Sequence, residues 1–93
     1  MEDWTFAQTD ESEKLAKLQY YSITKKQGDR EIEFVIAIKE FKPGPDQSMR
    51  FFAQADKQTN QKTAPYIPSG WGSNLLQALS ACIKEIKRFP YEG

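Results

Sequence analysis

The sequence predicts a two-layer α+β domain. A three-stranded antiparallel β-meander, with room for a fourth strand, is covered on one face by a single long C-terminal helix, and a short helical turn precedes the strands, giving the order α-β-β-β-α. Three observations carry this expectation. Residues 30–41, REIEFVIAIKEF, alternate with period two. Residues 18–27 align with them about a Gly-Asp turn, so that apolar side chains meet on one side. Residues 74–88 repeat apolar side chains at spacings of three and four.

Taken in chain order, residues 1–9 form an N-terminal arm in which Trp4 and Phe6 flank Thr5. Asp10 with Glu13 three positions on is a capping-box pattern, which predicts one or two helical turns at 11–17. Next comes the hairpin. With Gly28-Asp29 as its turn, Lys26 faces Glu31, Ile23 faces Phe34, Tyr21 faces Ile36 and Gln19 faces Ile38. Charge pairing beside the turn and apolar pairing further along agree on the same register. In the second strand Ile32, Phe34, Ile36 and Ile38 share one face, while Val35 and Ala37 lie on the other.

KPGPDQ at 42–47 reads as a turn and SMRFFAQAD at 48–56 as the third strand. Folding it back with Lys42 opposite Gln47 sets Ile38 against Phe51, Ile36 against Ala53 and Phe34 against Ala55. Residues 57–72 form a long Pro/Gly-containing connection, and loops beyond about 12–15 residues are uncommon without a role. Tyr66, Ile67 and Trp71 are expected to pack down, with an added strand near 65–67. The helix buries Leu75, Leu76, Leu79, Cys82, Ile83, Ile86 and Phe89. Ser73 is its N-cap, its last turn is basic, and Pro90 ends it.

Composition excludes several classes of function. The chain of 93 residues fits one domain, 1–93, with a core small enough that a partner subunit would add useful burial. Its 13 basic and 13 acidic residues cancel, which argues against a dedicated nucleic-acid binder, because neutralising phosphate supplies most of such affinity. Residues 1–47 hold 10 acids and 7 bases and residues 48–93 hold 3 and 6, a mild asymmetry of −3 and +3. One cysteine permits no disulfide framework, no apolar run reaches the ~20 residues of a membrane span, and the acidic start lacks signal-peptide features. A cytoplasmic setting is the resulting expectation.

Catalytic, metal and cofactor sites are not expected. There is no histidine, the usual base near neutral pH. Cys82 falls on the apolar stripe of the helix, where a thiol acts as a small core residue. Asp10, Glu11 and Glu13 read as a helix start, and Glu31 and Glu33 as a solvated strand face. The stretch Ser69-Gly70-Trp71-Gly72-Ser73 before the helix is a candidate loop site, since free N–H groups there suit an anion. It lacks the lysine of a phosphate loop, and the structural alternative is that its glycines aim the chain into the helix and seat Trp71 as a buried plug.

The leading candidate surface is the second face of the sheet, where Leu18, Tyr20, Val35, Ala37 and Phe52 form an apolar and aromatic group that one helix does not cover. Its cover is either the Trp4–Phe6 arm or a second copy of the chain. A further use of such a face is base stacking by Tyr20 and Phe52 with Lys39 and Arg50 nearby.

Over roughly residues 10–89 the element order resembles the layout of double-stranded-RNA-binding domains, and is similar to small β-β-β-α domains of the bacterial antitoxin kind. In the RNA-binding family the last helix starts with a lysine-rich phosphate-gripping motif. Here that segment reads GSNLLQAL, with no basic residue before Lys84, so those contacts are not carried over. The expected function is a non-enzymatic interaction or structural domain that associates with itself as a homodimer or with another protein. The alternative is a nucleic-acid-binding module.

Overall fold

The computed structural model describes residues 3–42, 47–60 and 62–92. Strands β1 (Ala16–Gln27), β2 (Arg30–Phe41), β3 (Phe51–Ala55) and β4 (Ser69–Gly72) form one antiparallel sheet in the order β1-β2-β3-β4, and helix α1 (Leu75–Arg88) follows. The fold is the predicted α+β meander with its fourth strand present. The N-terminal helical turn is a 3-10 helix at Asp3–Ala7, not at 11–17. There, Asp10 accepts hydrogen bonds from Ser12 N and Ser12 Oγ, both at 2.9 Å, and closes a turn. The chain after Leu15 is drawn into β1 because a twelve-residue ladder with β2 bonds the backbone of alternate residues along its length, whereas an isolated helical turn is costly to nucleate.

The hairpin register matches the expected one, with Lys26 opposite Glu31, Ile23 opposite Phe34 and Tyr21 opposite Ile36. Gly28 supplies the left-handed φ of +65° that the turn requires. The β2–β3 register is displaced by two residues from expectation. Ile38 opposes Ala53, Ile36 opposes Ala55, and Glu40 opposes Phe51. Residues 47–49 form a 3-10 turn instead of strand, and Phe41 N donates to Arg50 O at 2.9 Å to start the ladder. Because the displacement is even, every side chain keeps its face. Most of the predicted 42–47 turn, residues 43–46, lies outside the described residues.

Core burial follows the alternation. Ile32, Phe34, Ile36, Ile38, Ala53, Ala55, Ala78, Cys82 and Ile86 are buried together, with Ile23, Phe51, Leu75, Leu79, Ile83 and Tyr91 packed around them. Leu76, placed in the apolar stripe by the sequence, is 73% exposed instead. Ala78 takes the central position because α1 lies mainly over β4 and β3. The reason is steric. A Cβ on Gly70 would meet Ala81 Cβ at 2.6 Å and Ala78 O at 2.8 Å, and one on Gly72 would meet Ala78 N and Gln77 Cβ at 2.6 Å. Glycines at these two positions let the helix backbone rest directly on the edge strand. Asn74, not Ser73, caps the helix, with Oδ1 accepting from Gln77 N at 2.9 Å. Ser73 N and Oγ both donate to Gln77 Oε1, so the adjacent Ser serves the cap at second hand.

The long connection packs down in its middle. Thr59 is fully buried and exchanges backbone hydrogen bonds with Tyr66, which also meets Phe89 edge-on at 5.7 Å. The strand expected at 65–67 is reduced to that one bridge, and the pairing run begins at Ser69. At the far end of the hairpin, beyond β3, the helix-side face is covered by the C-terminal segment. Lys25 Nζ donates to Ile86 O and Phe89 O, each at 2.8 Å. Gln27 exchanges two hydrogen bonds with the Tyr91 backbone at 2.7 and 2.8 Å, and the Tyr91 ring meets Phe34 edge-on at 6.0 Å.

Two substitutions test this packing. Gly70→Ala is expected to lower stability by roughly 1–3 kcal/mol through overpacking against Ala81. Ile86→Ala is expected to lower it by roughly 2–5 kcal/mol through loss of buried side chain. Urea denaturation midpoints measure both, and a Gly70→Ala midpoint equal to that of the wild type would show that helix and strand are not in backbone contact.

Candidate interaction surface

The side of the sheet facing away from α1 is built by strand parity. On β1 it carries Leu18 and Tyr20, on β2 Val35, Ala37, Lys39 and Phe41, on β3 Phe52, and on β4 Trp71. The register aligns Leu18, Lys39, Phe52 and Trp71 in one row across all four strands, and Tyr20, Ala37, Gln54 and Ser69 in the next. All five residues predicted for this face therefore lie on it together. Tyr20 is 65% exposed, Leu18 49% and Trp71 45%, while Ala37, Phe41 and Phe52 are half-buried.

Trp71 and Phe41 extend this group beyond the predicted five. The Trp71 ring lies 4.6 Å from that of Phe52 and stacks at 6.1 Å and 25° on Phe41. Trp71 is thus not a buried plug. Gly70 and Gly72 occupy the helix side of β4, so the residue between them points the other way. Phe41 was identifiable in the sequence, because it shares the parity of Val35, Ala37 and Lys39. Trp71 was not, since its orientation depends on a strand that residues 69–72 form only by pairing with β3.

Phe6 of the N-terminal arm does not pack down. Thr5 is buried, but Phe6 is 72% exposed and Tyr20 remains open to solvent. Nor do the two expected cations act together. Arg50 is held by Glu40 at 2.9 Å and lies 5.4 Å over the Phe51 ring, both on the helix side. Lys39 stands on the open face and makes no ion pair among the described residues. Glu31 and Glu33 lie toward the hairpin tip, where Glu33 accepts a 2.6 Å hydrogen bond from Ser22 Oγ, while Asp56 sits beside Val35, accepting from its N at 3.0 Å and pairing with Lys57 at 3.1 Å.

The segment Ser69–Gly72 is edge strand rather than loop, and Ser73 leads into the helix. Residues 69–72 pair with β3, and the N–H groups of Ser73 and Gln77 at the helix start are taken by Gln77 Oε1 and Asn74 Oδ1. Cys82 is fully buried, with Sγ donating to Pro68 O at 3.5 Å. Burial pushes its thiol up to about 11. Asp10 is held below the usual carboxylate range by the Ser12 backbone hydrogen bond and then by the Ser12 hydroxyl. Burial alone pushes Lys25 down, as its ammonium is drawn against the helix end. Among the described residues no three metal-ligating side chains converge and no helix is long and apolar enough to cross a membrane.

Two measurements follow from these environments. In a Trp4→Phe background diluted to ~0.1 μM, below micromolar dissociation constants, Trp71 emission is expected to be readily quenched by acrylamide; a shielded, blue-shifted emission at that dilution would mean that the chain itself covers the face. For Cys82 the folded thiol titrates higher than the ordinary value of 9.0. Both states hold the proton at neutral pH, so the thiol has no effect there. Above the ordinary value the unfolded chain loses its proton first, and stability falls as pH rises toward about 11. Denaturation of wild type and Cys82→Ala between pH ~8 and ~11 isolates this slope, which the variant should lack.

No protein-family model, curated protein or solved structure matches this chain.

Proposed function

We propose that this chain is a small non-enzymatic interaction module that associates with a second copy of itself through the open sheet face. The observation that carries this reading is the contiguous strip of Leu18, Tyr20, Val35, Ala37, Phe41, Phe52 and Trp71, part of it widely exposed, on the face turned away from α1. Solvent-exposed apolar groups of this kind mark interfaces more often than bare surface. Strands ~4.8 Å apart and rising ~3.3 Å per residue give the strip a footprint on the order of 300–400 Å². That is below the ~800 Å² per partner of a standard interface, so the expected dimer is a modest one with a dissociation constant in the micromolar range.

The nucleic-acid reading is weaker on charge. Its base-stacking residues are present, but Arg50 is engaged by Glu40 on the opposite side, which leaves Lys39 as the cation within the aromatic row. With 13 acidic residues balancing 13 basic ones, little phosphate neutralisation is available.

Light scattering or sedimentation at ~100 μM tests the proposal, a concentration well above micromolar dissociation constants. The wild-type chain should be dimeric, and Tyr20→Ser with Phe52→Ser should give a folded monomer with unchanged far-ultraviolet circular dichroism. A monomeric wild type would sink self-association. Micromolar binding to single- or double-stranded RNA or DNA at ~150 mM salt, weakening steeply as salt rises, would put the nucleic-acid reading first.

A further inference from the structure

The open face of β2 has a polarity that the proposed self-association would use. Read along the strand it carries Glu31 and Glu33, then Val35 and Ala37, then Lys39 and Phe41. Acids stand at one end, the cation at the other, and small apolar side chains between them. Glu33 and Lys39 are equidistant from Ile36, each three residues away. A face with this pattern is complementary to its own reverse.

We infer that the second copy stacks with its β2 antiparallel to the first, about a two-fold axis crossing the strands at the level of Ile36, so that Lys39 of each copy meets Glu33 of the other. This inference rests on the self-association proposed above and specifies its geometry. The register then sets Val35 over Ala37 of the second copy, Tyr20 over Ser22 and Leu18 over Thr24, because Tyr20 opposes Ala37, Ser22 opposes Val35, Leu18 opposes Lys39 and Thr24 opposes Glu33 within one chain. Along β2 the centre is apolar, flanked by Tyr20 and Ser22 on β1 and by Gln54 on β3, and each end is closed by an ion pair beside the Phe52 ring, which shares the row of Lys39. Stacked sheets lie ~10 Å apart, a gap that lysine and glutamate side chains bridge together. Glu33 spends only one carboxylate oxygen on Ser22, leaving the other for the lysine.

Charge also disfavours the competing arrangement. An axis along the strands, between β2 and β3, would place Lys39 over Phe52 of the second copy. The two Lys39 side chains would then lie one strand spacing apart laterally, ~4.8 Å, with no carboxylate opposite either. A desolvated cation without a partner is costly. The antiparallel arrangement removes that cost and supplies two ion pairs.

The test is a charge exchange in the full chain, read by sedimentation equilibrium. Lys39→Glu alone and Glu33→Lys alone each oppose like charges twice per dimer, and each should raise the dissociation constant at least tenfold. Mixed in equal amounts, the two variants should regain dimers. In the mixed dimer one end keeps the natural pair and the other carries the same pair with its charges exchanged. Circular dichroism confirms that each variant is folded, and Lys39→Gln, which cannot repel, should weaken the dimer less than Lys39→Glu. Dimerisation of either single variant at wild-type strength, or a mixture no more dimeric than its components, overturns this geometry. In those cases a dimeric wild type leaves self-association standing. A monomeric wild type at ~100 μM overturns both.

Discussion

Contact between the backbone of α1 and the edge strand β4 sets the architecture. Gly70 and Gly72 are the only residue type that permits it, since a Cβ at either would fall inside van der Waals distance of Ala78, Ala81 or Gln77. Small residues on the helix, Ala78, Ala81 and Cys82, complete the fit. The helix is therefore drawn to the β3–β4 side of the sheet and not centred over it. The large fully buried side chains of the core come from β2 and the last turn of α1.

A displaced helix leaves the far half of the hairpin, whose strands are twelve residues each, without cover, and the chain solves this with its C-terminal segment. Lys25 supplies two hydrogen bonds to carbonyls at the helix end, where the helix dipole favours a cation. Gln27 fixes the Tyr91 backbone, and the Tyr91 ring closes over Phe34. The ammonium loses solvation in the exchange, which is why its basicity drops. One end of the core thus depends on polar anchors, whereas the other depends on close packing.

The same glycines shape the opposite surface. By committing positions 70 and 72 to the helix side they turn Trp71 outward, onto Phe52 and Phe41. An edge strand selected for intimate packing on one side therefore presents the largest aromatic side chain on the other. Interaction chemistry and fold stability share four consecutive residues, so changes in this stretch should affect both.

Much of the fold was legible in the sequence because the signals were local. Alternation in 30–41, the Gly28 turn and the three-four spacing of the helix each determine secondary structure and facing within a few residues, so β1–β2 register, the core of β2 and the grouping of Leu18, Tyr20, Val35, Ala37 and Phe52 on one face could be read directly. Other features were decided only by tertiary contact. The two-residue displacement of β3 accompanies the 3-10 turn at 47–49, and the outward Trp71 on the strand at 69–72 and the exposed Leu76 go with a helix backbone that rests on β4 at close distance. That distance depends on absent side chains at two glycines, and the pattern of apolar residues along a chain does not record how near two distant backbones will come.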